Sequence, residues 1–180
     1  QFARPQDYVG YLEPVAPAAL IQDSLVLVGH LLKRGTIAVE QHLDSVRNVL
    51  CNRNELQQVL INLMVNAIQA MPDGGTLTLR TRDGSGSDGL PGVVLTVEDT
   101  GPGLKPESLE RLFRPFFTTK NDGNGLGLWI SLGLVERYGG GISAGNREDG
   151  ASGAVFGVRL LTEPQAPEAV KTRDGRPAVG

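Results

Sequence analysis

Five polar side chains, Glu55, Gln58, Asn62, Asn66 and Gln69, follow one another at steps of three, four, four and three in an otherwise apolar stretch. On a helix, at about 100° per residue, they fall within about 40° of one line. The rest of the circumference from Leu56 to Met71 is aliphatic or thioether, broken only by Gln57. A helix this apolar is packed on most sides, and an amide buried there without a partner costs roughly 1–3 kcal/mol. The stripe is therefore either a polar network tying the helix to its neighbours or one wall of a polar ligand site.

Three further stations carry chemistry. Asp99 follows the apolar run Val93 to Val97 and precedes Gly101-Pro-Gly103. Its carboxylate is thus held at a sheet edge where the backbone can turn sharply, either as a capped turn or as an acceptor for an exocyclic amine such as that of adenine. Gly123-Asn-Gly-Leu-Gly-Leu128 opens onto an apolar helical pattern. Free amides at a helix start suit phosphate, although a plain flexible loop has the same composition. The dinucleotide fingerprint does not match this glycine spacing, and a Gly-Lys-Ser/Thr of the Walker type is missing. Between these two stations, Leu112 to Lys120 holds Phe113, Phe116 and Phe117, which serve as core, as a hinge beneath a mobile loop, or as both.

The elements that must position these residues are legible in outline. Gln1 to Pro17 reads as a lead-in linker, and Ala18 to Leu32 as one helix stopped by Gly35. Thr36 to Leu43 predicts a strand with Ile37 and Val39 inward. Asn52 caps the central helix, with Glu55 reaching back in a capping box. Pro72 to Gly75 is a turn, Thr76 to Arg82 a half-buried strand, Asp83 to Gly92 a hairpin loop, and Val93 to Val97 a central strand. A short helix starts at Pro106, another runs from about Leu128 to Tyr138, and Ile142 to Ala144 pairs with Ala154 to Leu161. From Thr162 onward the chain has no period and reads as a disordered tail or linker.

Composition narrows the class. The chain has 180 residues, 40% hydrophobic and 21% charged, with a net charge of −3, which suits one domain and gives no electrostatic footprint for nucleic acid or an anionic membrane. One cysteine, Cys51, excludes an intrachain disulfide. No apolar run reaches the roughly 18 residues of a membrane span.

In this order and spacing, over residues 14–161, the stations resemble the catalytic ATP-binding domain of sensor histidine kinases, within the Bergerat-fold ATPase superfamily. Gln58 to Ala67 is similar to the family's asparagine box, which implies Mg²⁺ at Asn66 and a catalytic set of Asn62, Asn66 and Lys120. Asp99 to Gly103 resembles the first glycine box, so that Asp99 would read adenine beside Gly101, Gly103 and Leu104. The resemblance extends to a phenylalanine box, with Phe117, Thr118, Thr119 and Lys120 at the nucleotide. It also covers a second glycine box, with Gly123, Gly125, Leu126, Gly127 and Leu128 along the triphosphate, and Gly150 to Phe156 is similar to the last glycine-containing strand. Three positions depart from the pattern: Ala154 stands where threonine is frequent near the adenine, Asn52 where aspartate opens the helix, and Gln69 where a basic residue is frequent. ATPases of the superfamily carry a glutamate general base where Asn62 stands, and an amide cannot do that work.

The resemblance implies an α/β (α+β) two-layer sandwich, with a mixed, largely antiparallel sheet and helices on one face. Residues 1–13 would be a linker from a missing dimerisation and phosphoacceptor domain, 14–161 the ATP-binding domain, and 162–180 a tail. The γ-phosphate would pass to a histidine outside this chain, because neither His30 nor His42 is followed by the acidic residue and proline of a phosphoacceptor box. The implied partners are ATP, the chain's own dimerisation domain and a response regulator, in a bacterial, cytoplasmic setting. The full-length protein would then be a homodimer and this fragment a monomer without membrane contact. A nucleotide-sensing or docking module, and an anti-sigma-type serine kinase of the same fold, are the alternatives.

Overall fold

A computed structural model describes residues 12–86, 88–114 and 127–162. The central apolar run becomes α3, Arg53–Gln69, capped by the Asn52 side chain, whose Oδ1 accepts from the Glu55 N–H at 3.1 Å. Leu56, Val59, Leu60, Leu63, Met64, Ala67 and Ile68 are buried, which is the face the periodicity predicts, while Gln58 and Gln69 on the stripe stay exposed. The capping box is not reciprocal. The Asn52 N–H donates to the Tyr138 hydroxyl at 3.3 Å instead, and the Glu55 carboxylate turns to Arg137 and Tyr138.

Beneath α3 lies a five-stranded sheet in the order β2-β4-β5-β7-β6, comprising β2 (Ile37–Leu43), β4 (Gly75–Ser85), β5 (Pro91–Glu98), β6 (Gly141–Asn146) and β7 (Ala154–Leu161). All neighbours are antiparallel except β2 and β4, which run parallel from Ile37 opposite Gly75 to Leu43 opposite Thr81. A parallel pair needs a long crossover, and α3 lies in the one that joins them. In central β5, Val93, Leu95 and Val97 are buried under the helices, whereas Val94, Thr96 and Glu98 are only half-buried on the other face. This side also carries exposed Arg80 and Arg82, and Arg147 pairs with Glu98 there at 3.0 Å. The helices cover one face only, as expected.

Three details differ from the sequence reading. The first helix breaks at Val28 into α1 (Pro17–Leu27) and α2 (Gly29–Arg34). Gly29 is a poor helix former, and the Ser24 hydroxyl bonds back to the Leu20 carbonyl at 2.7 Å in the last full turn. Leu20, Ile21, Ser24, Val28 and Leu32 nevertheless form one buried stripe across the break. Within the stretch read as a lead-in, β1 (Glu13–Val15) pairs antiparallel with β3 (Val49–Cys51) to make a second, two-stranded sheet. The β4–β5 strands also extend to Ser85 and Pro91, which shortens the hairpin loop. Pro106–Leu109 forms α4 and Gly127–Glu136 forms α5. Among the described residues no helix is long and apolar enough to cross a membrane.

Candidate functional site

Asp99 is 2% exposed, a charge that must be satisfied by its surroundings. Its Oδ1 accepts from the Gly101 N–H at 2.9 Å and from the Ala154 N–H at 3.2 Å, while its own N–H donates to the Ala154 carbonyl at 3.0 Å. The backbone thus fixes one carboxylate oxygen, and Oδ2 accepts no hydrogen bond from the described residues. Ala154, where threonine is frequent in the resembling family, contributes its backbone and no side-chain donor.

Glycine is needed in the turn for specific contacts. A Cβ on Gly101 would stand 2.5 Å from the Ala70 carbonyl oxygen, so the turn lies flush against the carboxyl end of α3. Gly103 has φ +80°, a conformation that side chains disfavour. Thr100 completes the anchorage, its Oγ1 accepting from the Thr76 N–H at 3.0 Å and its hydroxyl lying 3.4 Å from the Met71 sulfur. Leu104, the next residue, has both backbone polar groups taken by the Asn146 side chain.

Two residues of the α3 stripe, Glu55 and Asn62, reach α5 and the residues just past it. Near one end the Glu55 carboxylate accepts from the Arg137 guanidinium at 3.0 Å and from the Tyr138 hydroxyl. Seven residues on, the Asn62 Nδ2 donates at 3.2 Å to the Oγ of Ser131, which is fully buried. This antiparallel register carries Asn66 to the level of Gly127, the first residue of the ten-residue α5. Asn66, the amino end of α5 with Gly127 and Leu128, and the Asp99 turn against the end of α3 therefore gather at one end of the helical layer.

The network reading of the stripe is met at Glu55 and Asn62, which tie the two helices. Asn66 lies farther along, toward the amino end of α5, whose dipole favours an anion. Of the expected site residues, Asn62, Asn66, Asp99, Gly101, Gly103, Leu104, Gly127 and Leu128 are described. Phe117, Thr118, Thr119, Lys120, Gly123, Gly125 and Leu126 lie outside the described residues. Ser131, Asn146 and Ser152 join the site unannounced. Only Ser131 left a signal, as a lone hydroxyl among the leucines and isoleucine of α5.

Around the turn, Asp149 bonds to Arg147 at 2.6 Å and holds its guanidinium above the ordinary value, and Arg147 in turn keeps the Asp149 carboxyl below its own. Among the described residues no three His, Cys, Asp or Glu side chains are grouped as a metal cage. A divalent ion at this place would have to arrive with its own oxygen ligands, as Mg²⁺ does on phosphates. A single amide oxygen from Asn66 is a donor of the right hardness for that.

The family model described as histidine kinase-, DNA gyrase B-, and HSP90-like ATPase matches residues 51–164. The sensor histidine kinase ZraS of Salmonella typhi is 40% identical over 117 residues, which cover 65% of this chain and 24% of that protein. The C4-dicarboxylate transport sensor protein DctB of Rhizobium meliloti is 46% identical over 151 residues, covering 82% and 23% respectively. The chain thus spans about a quarter of the length of these two relatives. Among solved structures, the catalytic domain of the histidine kinase ThkA superposes with a TM-score of 0.76 at 31% identity, covering 86% of this chain and 98% of that one. ThkA in complex with the response regulator protein TrrA gives 0.72 at 28% identity, covering 87% of this chain and 43% of that one.

Proposed function

The chain belongs to the family of histidine kinase-, DNA gyrase B- and HSP90-like ATPases, and from that premise we propose that it is the ATP-binding catalytic domain of a sensor histidine kinase. Residues 14–161 would bind ATP and pass its γ-phosphate to a histidine on a separate dimerisation domain, from which a response regulator takes it. The parent protein is then bacterial and homodimeric, and this domain is cytoplasmic and monomeric by itself.

One observation carries the reading. The buried Asp99 divides its carboxylate between a backbone-fixed Oδ1 and an Oδ2 that takes nothing from the described residues, at the same end of the molecule as Asn66 and the start of α5. A fixed acceptor at one end and an anion-favouring helix start at the other suit a nucleotide lying between them. In this reading Oδ2 accepts from the adenine amine, Gly101 and Gly103 let the base approach, and the Leu104 side chain packs beside it. Gly127 and Leu128 would offer amides to the triphosphate, and the resemblance assigns Phe117, Thr118, Thr119, Lys120, Gly123, Gly125 and Leu126, which lie outside the described residues, to the same nucleotide. Mg²⁺, held through Asn66, would supply charge neutralisation on the phosphates. Asn62 has its amide nitrogen committed to Ser131 and has no basic lone pair to activate water. ATP is therefore held for transfer and hydrolysed slowly.

Asp99→Asn tests the adenine assignment. The amide keeps an Oδ1 for the Gly101 and Ala154 N–H groups, so the fold survives, but it sets an NH₂ against the adenine amine. ATP binding by calorimetry should be lost with the melting temperature preserved, and unaltered affinity would rule the assignment out. Incubation with γ-labelled ATP and a separately supplied phosphoacceptor domain should yield labelled histidine; labelled serine, or none, would overturn the kinase reading.

A further inference from the structure

Asn146, the last residue of β6, commits both halves of its side-chain amide to the backbone of one residue. Its Oδ1 accepts from the Leu104 N–H at 2.7 Å, and its Nδ2 donates to the Leu104 carbonyl at 2.9 Å. Two paired residues of an antiparallel ladder exchange their bonds in this way; here a side chain does it, across 42 residues of sequence. Directly before Leu104, Gly103 sits at φ +80°, and a Cβ there would stand 2.8 Å from the same Asn146 Oδ1. The turn and the amide are fitted to each other.

The rest of the β6–β7 connection grips the same turn. The Ser152 hydroxyl donates to the Gly101 carbonyl at 2.6 Å, and Ala154 exchanges bonds with Asp99 through its N–H and its carbonyl. Asp99, Gly101 and Leu104 are thus each held by one hairpin connection, Asn146 to Ala154. Asn146 takes the Leu104 N–H and one lone pair of its carbonyl, and the Leu104 side chain is half-buried against the core.

We propose that Asn146 is a positioning residue for the nucleotide base: it sets the Leu104 backbone, and with it the Leu104 side chain, at a fixed offset from Asp99 Oδ2, which takes no hydrogen bond from the described residues. Asn146 is itself exposed, and exposed hydrogen bonds contribute little net stability. Its two bonds therefore hold the geometry of a turn more than they hold the fold. The proposal rests on the nucleotide reading above.

The test compares the unaltered chain with Asn146→Ala and Asn146→Asp. ATP affinity is measured by calorimetry in Mg²⁺, the melting temperature by calorimetric scan, and KM and kcat by phosphoryl transfer to a supplied phosphoacceptor domain. For Asn146→Ala, ATP affinity should fall roughly three- to tenfold, the worth of one or two hydrogen bonds. KM should rise in parallel, kcat should stay within about twofold and the melting temperature within about 2 °C. Asn146→Asp keeps the acceptor but sets a carboxylate oxygen against the Leu104 carbonyl, and ATP affinity should fall at least as far as in Asn146→Ala. Unchanged affinity in Asn146→Ala overturns the proposal, as does a drop in melting temperature with KM and kcat damaged together, which marks a structural role. If the unaltered chain fails to bind ATP, the nucleotide reading fails and this proposal falls with it; if it binds ATP and Asn146→Ala binds equally well, only the proposal fails.

Discussion

The Tyr138 hydroxyl joins two elements through two bonds of opposite sense, accepting from the Asn52 N–H and donating to the Glu55 carboxylate. Glu55 also carries the Arg137 guanidinium, so the first turn of α3 is tied to the residues just past α5. Tyr138→Phe removes both hydroxyl bonds and leaves the Asn52 N–H, a group at the helix start, without that partner. Urea unfolding should show a loss of about 1–2 kcal/mol at unchanged m-value; a cost near zero would mean that water replaces the hydroxyl. The capping-box reading gave Glu55 the Asn52 N–H as its partner, and the structure gives it Arg137 and Tyr138 instead. The true partners lie 82 and 83 residues away, and pair contacts at that separation leave no periodic trace in one sequence. Asp99 was legible because its position between an apolar strand and a glycine turn is local information.

At the level of elements, α3 was legible because its pattern repeats over 17 residues and its buried face follows the 3.6 period. That face makes a quantitative distinction. Leu63, fully buried under the helical layer, should cost about 2–5 kcal/mol on truncation to alanine. Gln58→Ala, on the exposed edge of the same helix, should stay within about 0.5 kcal/mol. Equal costs in thermal or urea unfolding would mean that the stripe is structural along its whole length. The elements that escaped the sequence reading are the short ones. β1 and β3 are three residues each, too brief for alternation to emerge, and exist through pairing with each other. The break at Val28 was hidden because the buried stripe runs on through it, so periodicity scored one helix where the backbone makes two.

The place where the second sheet, α3 and the end of α5 meet also makes the whole molecule sensitive to base. Cys51 on β3 is fully buried, and burial first, then the Glu13 and Glu55 carboxylates, pushes its thiol from 9.0 up to about 12. Burial, then the bond to Glu55, raises the Tyr138 phenol above its ordinary 10.0. The Arg137 guanidinium faces this cluster through Glu55. Both groups are acids whose anions the fold disfavours. Below pH about 9 folded and unfolded chains hold the same protons, and these groups leave stability independent of pH. Above it, the unfolded chain releases protons that the folded chain keeps, so unfolding becomes more favourable with each step toward pH 12. The melting temperature should therefore fall as pH rises from about 9. Cys51→Ala should melt lower at neutral pH, since it leaves a small void, yet show a shallower alkaline decline, because only the tyrosine contribution remains. Parallel declines in the two proteins would show that the thiol is not held protonated by this junction.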